Sequence, residues 1–292
     1  MKYVDSEPSS QDIAPAAGDC VSANAGELPA RRSSQLHWPE YFIEAAGLAL
    51  FMASACLFAS LYEYPASLVH HAVPSVLLRR AMMGVSMGLT AIAIIYSPWG
   101  KQSGAHINPS ITFSFYYLGK IPLWDALFYV VAQFGGAILG VELTVLLLGK
   151  IVSGPPVLYA VTVPGEKGVW AAIAAEYLIA FGMMSLVLYS SNHPKLKRYT
   201  GIFAGILVAT YITLEAPISG MSMNPARTFG SAFPGKVWDG IWIYFIAPPL
   251  GMLSAAHVFV WWKGRSSVEC CKLQHHNRRP CIFCGSQGRQ EA

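Results

Sequence analysis

Two short motifs in this sequence place an asparagine directly before a proline. One reads Ser-Gly-Ala-His-Ile-Asn-Pro-Ser at 103–110, and the other reads Ser-Gly-Met-Ser-Met-Asn-Pro-Ala-Arg at 219–227. Asparagine is a favoured helix N-cap and proline a favoured first helical residue, so each motif predicts the start of a helix. The side-chain oxygens of Asn108 and Asn224 can accept from the first free N–H groups of their helices, which leaves the amide NH2 groups as donors.

The chemistry of such a pair depends on whether the two helix starts meet. Two converging N-termini aim two positive dipole ends at one point, which repels cations and protons. A water molecule held there by both asparagines accepts through its oxygen and points its hydrogens along the passage. We therefore predict a pore centre at Asn108, Pro109, Ser110, Asn224, Pro225 and Ala226. The loops before it are expected to be extended and to line or support the pore, with the residues Gly104, Ala105, His106, Ile107, Gly220, Met221, Ser222 and Met223.

The rest of the chain has the composition of a membrane protein with several spans. Hydrophobic residues make up 54% of the 292 positions and charged residues only 12%, about half the share in soluble domains. Six apolar stretches approach the roughly 20 residues that a membrane-spanning helix needs. They lie near 40–62, 77–97, 122–149, 168–190, 199–216 and 238–262. The stretches 107–118 and 224–233 are too short to span, so at membrane depth they must be buried in protein or line a cavity.

The spans and motifs form an internal repeat. Each half has two long helices, an Asn-Pro motif and a third long helix. Three spans per half is an odd number, so the halves must have opposite topology. Glu44 and Glu176 lie in the first helix of each half. We expect them to accept from loop N–H groups, in preference to acting as a proton relay. Close helix crossings are expected at Gly47, Gly84, Gly88, Gly135, Gly136, Gly140, Gly182, Gly201, Gly205 and Gly251.

Paired Asn-Pro motifs in inverted three-helix repeats resemble the aquaporin, or major intrinsic protein, family over about residues 38–262. The resemblance implies an all-α membrane fold with six transmembrane helices and two re-entrant half-helices in inverted three-helix repeats. It also implies a homotetramer with one pore per subunit. By alignment with the family, Arg227 lies in a narrow filter with Ile212, Met221 and either Met87 or Gly88.

The branch of the family is a separate question. Water channels are similar to this chain at Thr228, Ser231, Ala232, Tyr244 and Phe245. On the strength of these five residues, the resemblance implies a passive water channel that excludes protons and ions. The filter departs from the water-channel pattern because three of its four residues are apolar. The alternative is a channel for small neutral solutes such as glycerol, urea, hydrogen peroxide, ammonia or metalloid acids.

The ends of the chain are expected to be tails around one channel domain at 38–263, with repeats at about 38–150 and 168–263. Lysine and arginine are more frequent on the side of both termini, which predicts cytoplasmic termini and a multi-pass location in the cell (plasma or inner) membrane. We expect residues 1–37 to be a disordered cytoplasmic tail.

The tail at 264–292 contains Cys270, Cys271, Cys281 and Cys284, with His275 and His276 between them. A zinc site and palmitoylation are both open to it, but a flexible cytoplasmic tail with reduced thiols is favoured. We expect no metal and no cofactor. The sequence presents no catalytic constellation, and its few basic residues form no nucleic-acid-binding patch.

Overall fold

The computed structural model describes residues 36–274 and 281–286, and these residues form helices and connecting turns without strands. His275, His276 and all but the last two residues of the predicted N-terminal tail lie outside the described part. The α-helices are α1 Trp38–Glu63, α2 Leu68–Ala72, α3 Val76–Tyr96, α4 Pro98–Ser103, α5 Pro109–Tyr117, α6 Leu123–Leu148, α7 Lys150–Ser153, α8 Val169–Ser191, α9 Thr200–Leu214, α10 Ala216–Ser219, α11 Pro225–Gly235 and α12 Ile241–Lys263.

Five of these helices, α1, α3, α6, α8 and α12, are long and apolar enough to cross a membrane. The span predicted at 199–216 is shorter than expected, because α9 has only 15 residues and ends at Leu214. Pro217 follows in the short helix α10. Proline lacks the N–H that would continue the α9 hydrogen-bond pattern, so the chain turns there.

The two predicted half-helices are α5, with nine residues, and α11, with 11. Asn108 and Asn224 are their N-caps, and a proline follows at the first turn of each. Helices this short need tertiary contacts to persist. Each half-helix packs on the third long helix of the opposite half, α5 on α12 and α11 on α6. The halves therefore interlock around the two caps.

The long helices pair in a pattern that follows the inverted repeat. The first and third helices of each half pack together, α1 with α6 and α8 with α12, while the second helices α3 and α9 pack across the halves. Glycine permits the closest of these contacts. A Cβ added at Gly136 would lie 2.1 Å from the Ala45 carbonyl oxygen on α1. Gly135 was also expected at a crossing, and this was wrong, because a Cβ added there meets nothing within 4 Å.

Adjacent Gly136→Ala and Gly135→Ala variants test this difference. The clash at Gly136 is with backbone, which cannot rotate away, so Gly136→Ala should cost about 1–3 kcal/mol or more of stability. Gly135→Ala should be neutral or stabilise the helix by about 0.5–1 kcal/mol. Thermal unfolding in detergent measures both. Equal melting temperatures for the two variants would contradict the packing of α1 on α6.

Candidate pore

A cavity of about 290 Å³ runs through the interlocked halves. At one end it is lined by Glu63 and Arg80, and we name this end the outer mouth. At the other end it is lined by Ala105 and Leu273, and we name this end the inner mouth. Asn108 lies on its wall between the two mouths. The cavity is thus a passage along the predicted pore.

The two cap asparagines are joined to each other's loops across the centre. The Oδ1 atom of Asn108 accepts from the Ser110 N–H at 2.8 Å, and that of Asn224 accepts from the first turn of α11. The Asn108 amide donates to the Met223 carbonyl at 2.8 Å, and the Asn224 amide donates to the Ile107 carbonyl at 2.8 Å. Each amide has two hydrogens. From the sequence we expected both NH2 groups to donate into the pore. In the structure one hydrogen of each is used by a loop carbonyl, and only the other remains.

Glu44 holds the first loop from behind. Its carboxylate accepts from the backbone N–H groups of His106 at 3.1 Å and Ile107 at 2.6 Å. The Ser103 hydroxyl donates to it at 2.7 Å and the Gln133 amide at 2.9 Å. The side chain is fully buried. Successive N–H groups around one anion form a nest, which fixes the loop without exposing the charge to the passage.

Glu176 does the same for the second loop. It accepts from the N–H groups of Ser222 and Met223, both at 2.7 Å, and from the Ser219 hydroxyl at 2.7 Å. Neither loop is extended as predicted. After the positive-φ glycines Gly104 and Gly220, the non-glycine residues with positive φ come at every second position, at Ala105 (53°) and Ile107 (39°) and at Met221 (51°) and Met223 (55°). This alternation is the reason that consecutive N–H groups can converge on one carboxylate.

Ser110 of the first motif stands where the second motif has Ala226. Among the described residues the buried Ser110 Oγ has no partner. An acceptor for a serine in a helix is the carbonyl three or four residues before it, and the Ile107 carbonyl is instead the acceptor for Asn224.

The side chains assigned to the filter lie together on the cavity wall toward the outer mouth. Met87, Ile212, Met221 and Arg227 all line the passage. The alternative residue Gly88 faces α9, where an added Cβ would lie 2.5 Å from a backbone carbonyl oxygen. The Arg227 Nη1 atom is buried and has no acceptor in the described part of the chain. The cavity wall therefore combines one guanidinium group with the apolar side chains of Met87, Ile212 and Met221.

The inner mouth is covered by residues 268–274, which we call the strap. The Leu273 N–H donates to the Gly104 carbonyl at 3.2 Å, and the Leu273 side chain lines the cavity. His106 Nε2 lies 2.9 Å from the Cys271 carbonyl. Since a carbonyl only accepts, Nε2 is the donor. The flexible tail that we favoured from the sequence was wrong for this segment, because Val268 and Cys270–Gln274 are all buried.

The sequence analysis assigned a role at the pore neither to Leu273, which lines the cavity, nor to Cys271, whose carbonyl meets His106. The signal available was weak: two cysteines and a leucine soon after the last helix. Burial would raise the pKa of the Cys271 thiol, but hydrogen bonds with Cys270 and His106 outweigh it and lower the pKa to about 6. The lowered pKa thus reflects the same neighbourhood in which the Cys271 carbonyl accepts from His106 of the first loop.

Comparison with known proteins agrees with this geometry. The family model for the major intrinsic proteins matches residues 32–259. A probable NIP-type aquaporin of Nicotiana alata is 33% identical over 177 residues, which cover 60% of this chain and 63% of that protein. Aquaporin NIP2-3 of Zea mays is 35% identical over 181 residues, covering 61% and 57%. The chain thus spans about three fifths of the length of these relatives.

A solved structure has the same fold. The aquaglyceroporin from Plasmodium falciparum aligns with a TM-score of 0.63 over 76% of this chain and 95% of its own, at 21% sequence identity. The all-α fold predicted from the inverted repeat is thereby confirmed. Capped half-helices, interlocked halves and a cavity along the predicted pore accompany a family match over most of the chain, and this multi-pass membrane protein belongs to the major intrinsic protein family, whose members are channels and not enzymes.

Proposed function

We propose that this protein is a passive channel for water and for small neutral solutes that carry hydroxyl or amide groups. The observation that carries the proposal is the lining of the cavity, which the half-buried Arg227 shares with Met87, Ile212 and Met221. A guanidinium group offers several N–H donors and no acceptor, so it favours a solute that accepts hydrogen bonds. The apolar side chains suit the carbon skeleton of glycerol or a similar molecule.

A channel selective for water alone is the second candidate. It is favoured by the resemblance at Thr228, Ser231, Ala232, Tyr244 and Phe245. None of these five is among the described residues that line the cavity. Tyr244 donates to the Ser219 carbonyl and supports the second loop. We therefore give the filter more weight. The similarity to plant aquaporins and to an aquaglyceroporin agrees with either solute class.

Exclusion of ions follows from the same proposal. The N-termini of α5 and α11 meet at Asn108 and Asn224, so their positive ends converge on the passage. Arg227 adds a fixed positive charge.

We further propose a homotetramer in a cell membrane, with the inner mouth and both termini in the cytoplasm. This proposal rests on the family resemblance and on the distribution of lysine and arginine.

Stopped-flow light scattering on vesicles that contain the full chain tests this function. Because Leu273 lies in the passage, a Leu273→Ala variant is measured beside it. We expect faster shrinkage than in empty vesicles under a sucrose gradient, and entry of glycerol under a glycerol gradient. Permeability equal to that of empty vesicles, for both proteins and both solutes, would refute the proposal.

An Ile212→His variant tests the filter directly. An imidazole there would add a polar group beside Arg227 and replace apolar surface. We expect glycerol entry to fall at least about tenfold while water entry stays within about twofold, since one lost apolar contact is worth roughly 1–3 kcal/mol of discrimination. Ile212→Leu is the matched control and should change neither. Unchanged glycerol entry in Ile212→His would place selectivity elsewhere.

A further inference from the structure

We propose that Cys270, Cys281 and Cys284 form a binding site for a thiophilic divalent metal such as Zn²⁺, and that the bound metal holds the strap in the inner mouth and closes the passage. The three Sγ atoms all lie within 4.8 Å of one another. Cys270 and Cys281 are buried, and Cys284 is exposed. A metal therefore has an approach from solvent at Cys284.

The spacing of the sulfur atoms suits a tetrahedral metal site. The Sγ atoms of Cys270 and Cys281 are 3.7 Å apart. Zinc–sulfur bonds of about 2.3 Å at tetrahedral angles place neighbouring sulfurs about 3.8 Å apart. A disulfide needs about 2.05 Å, and these cysteines are free thiols.

The second and third ligands come from one tight turn. Cys281 and Cys284 have the Cys-x-x-Cys spacing that is common in zinc sites. The Gly285 N–H donates to the Cys281 carbonyl at 2.9 Å, and the Cys281 N–H donates to the Ser286 carbonyl at 3.0 Å. Gly285 has a φ of 69°, which glycine adopts without strain. The turn is thus closed by its own backbone and presents two thiols toward Cys270.

The site is attached to the body of the channel. The Phe283 ring of the turn meets Tyr129 of α6 edge-on, with centroids 6.2 Å apart. The Lys272 ammonium of the strap lies 6.0 Å from the centroid of the same Phe283 ring. Tyr129 in turn donates to the Ser103 carbonyl at the base of the first pore loop.

Metal binding and pore closure are linked by the shortness of the chain between them. Cys270 is followed directly by Cys271, whose carbonyl accepts from His106. Leu273 is two residues further, with its side chain in the passage. A metal that binds Cys270 to the turn therefore reduces the freedom of the strap to leave the mouth. Three protein ligands leave one position of a tetrahedral site open, so the metal can exchange more readily than in a four-cysteine structural site.

Metal binding is tested first, without any flux measurement. The full chain in detergent is stripped of metal and titrated with Co²⁺, which gives intense near-ultraviolet absorption when thiolates bind it. We expect one Co²⁺ per chain, displaced by Zn²⁺. Cys284→Ser should weaken binding at least tenfold, while the matched control Cys56→Ser, at a buried cysteine outside the strap and turn, should bind as the original chain does. Absence of the absorption, or equal binding by Cys284→Ser, would overturn the site.

Closure is tested second, and this part rests on the proposed channel function. Vesicles with the full chain should be at least fivefold more permeable with a chelator than with Zn²⁺ on both sides. Leu273→Ala should bind Co²⁺ but stay open, and Cys284→Ser should be open in both conditions. If the full chain binds metal and its permeability does not change, closure is refuted. Closure by a thiol oxidant but not by Zn²⁺ would also refute it, in favour of a disulfide.

The outcomes separate the two proposals. If Leu273→Ala and Cys284→Ser vesicles both match empty vesicles, the channel function fails, while the Co²⁺ titration still decides the metal site. Thermal unfolding of Cys284→Ser without metal should match that of the metal-free original chain, because the thiol is exposed.

Discussion

Replacing Arg227 by valine is expected to raise the leak of protons and small cations through the channel by a factor on the order of 1,000. A fixed charge repels a cation 4 Å away by about 4 kcal/mol at an effective dielectric constant of 20. Each 1.4 kcal/mol corresponds to about a tenfold change. The dipole ends of α5 and α11 remain in the variant, so some exclusion should persist. Vesicles that contain a pH-sensitive dye report the proton leak after an acid jump.

Arg227→Lys is the matched control for that experiment. Lysine retains the positive charge but replaces the guanidinium fork by a single ammonium group. We expect low proton leak in this variant and altered entry of glycerol. A leak in Arg227→Val no greater than that in Arg227→Lys would assign the barrier to the half-helices alone.

Glu176→Ala is expected to have the largest effect on stability. The substitution leaves the N–H groups of Ser222 and Met223 buried without their acceptor, at about 1–3 kcal/mol each. A total near 4 kcal/mol lowers the melting temperature by roughly 10 °C in a protein of this size. Water permeability should fall together with the melting temperature, because the second loop loses the carboxylate that holds its N–H groups.

Glu166→Gln is the control for Glu176→Ala. Glu166 lies on an exposed segment before α8, so its neutralisation should leave the melting temperature and the permeability unchanged. The melting temperature of Glu176→Gln should lie between those of Glu176→Ala and Glu166→Gln, since its amide oxygen can still accept from one N–H group. A melting temperature of Glu176→Ala within about 2 °C of the original would contradict the support role of the carboxylate.

The sequence predicts the centre of this molecule better than its end, and the reason is physical. Asn108 and Asn224 begin helices through local backbone chemistry that acts within three residues, so the motif alone indicates the cap. The contact between His106 and Cys271 joins positions 165 residues apart. The strap has no apolar periodicity, so its place in the inner mouth depends on a cavity that exists only after the helices have packed.

Two smaller differences between the prediction from the sequence and the structure have similar causes. Gly135 and Gly136 are neighbours with the same side chain, and only the rotation of α6 against α1 decides which of them faces a backbone. The pore loops are not extended as predicted, and residue types such as Ile107 and Met223 seldom adopt the positive φ that they have there. There the buried carboxylates outweigh local preference, since they bind N–H groups that would otherwise lack acceptors.

The crossed bonds from Asn108 to Met223 and from Asn224 to Ile107 have a consequence for biosynthesis. The ribosome completes the first half of the chain before the residues of the second half exist. Until then the Asn108 amide and the Ile107 carbonyl lack the partners that they have in the finished protein. Such groups are costly in lipid. The first half therefore cannot reach its final structure alone, and the second half acts as its folding template.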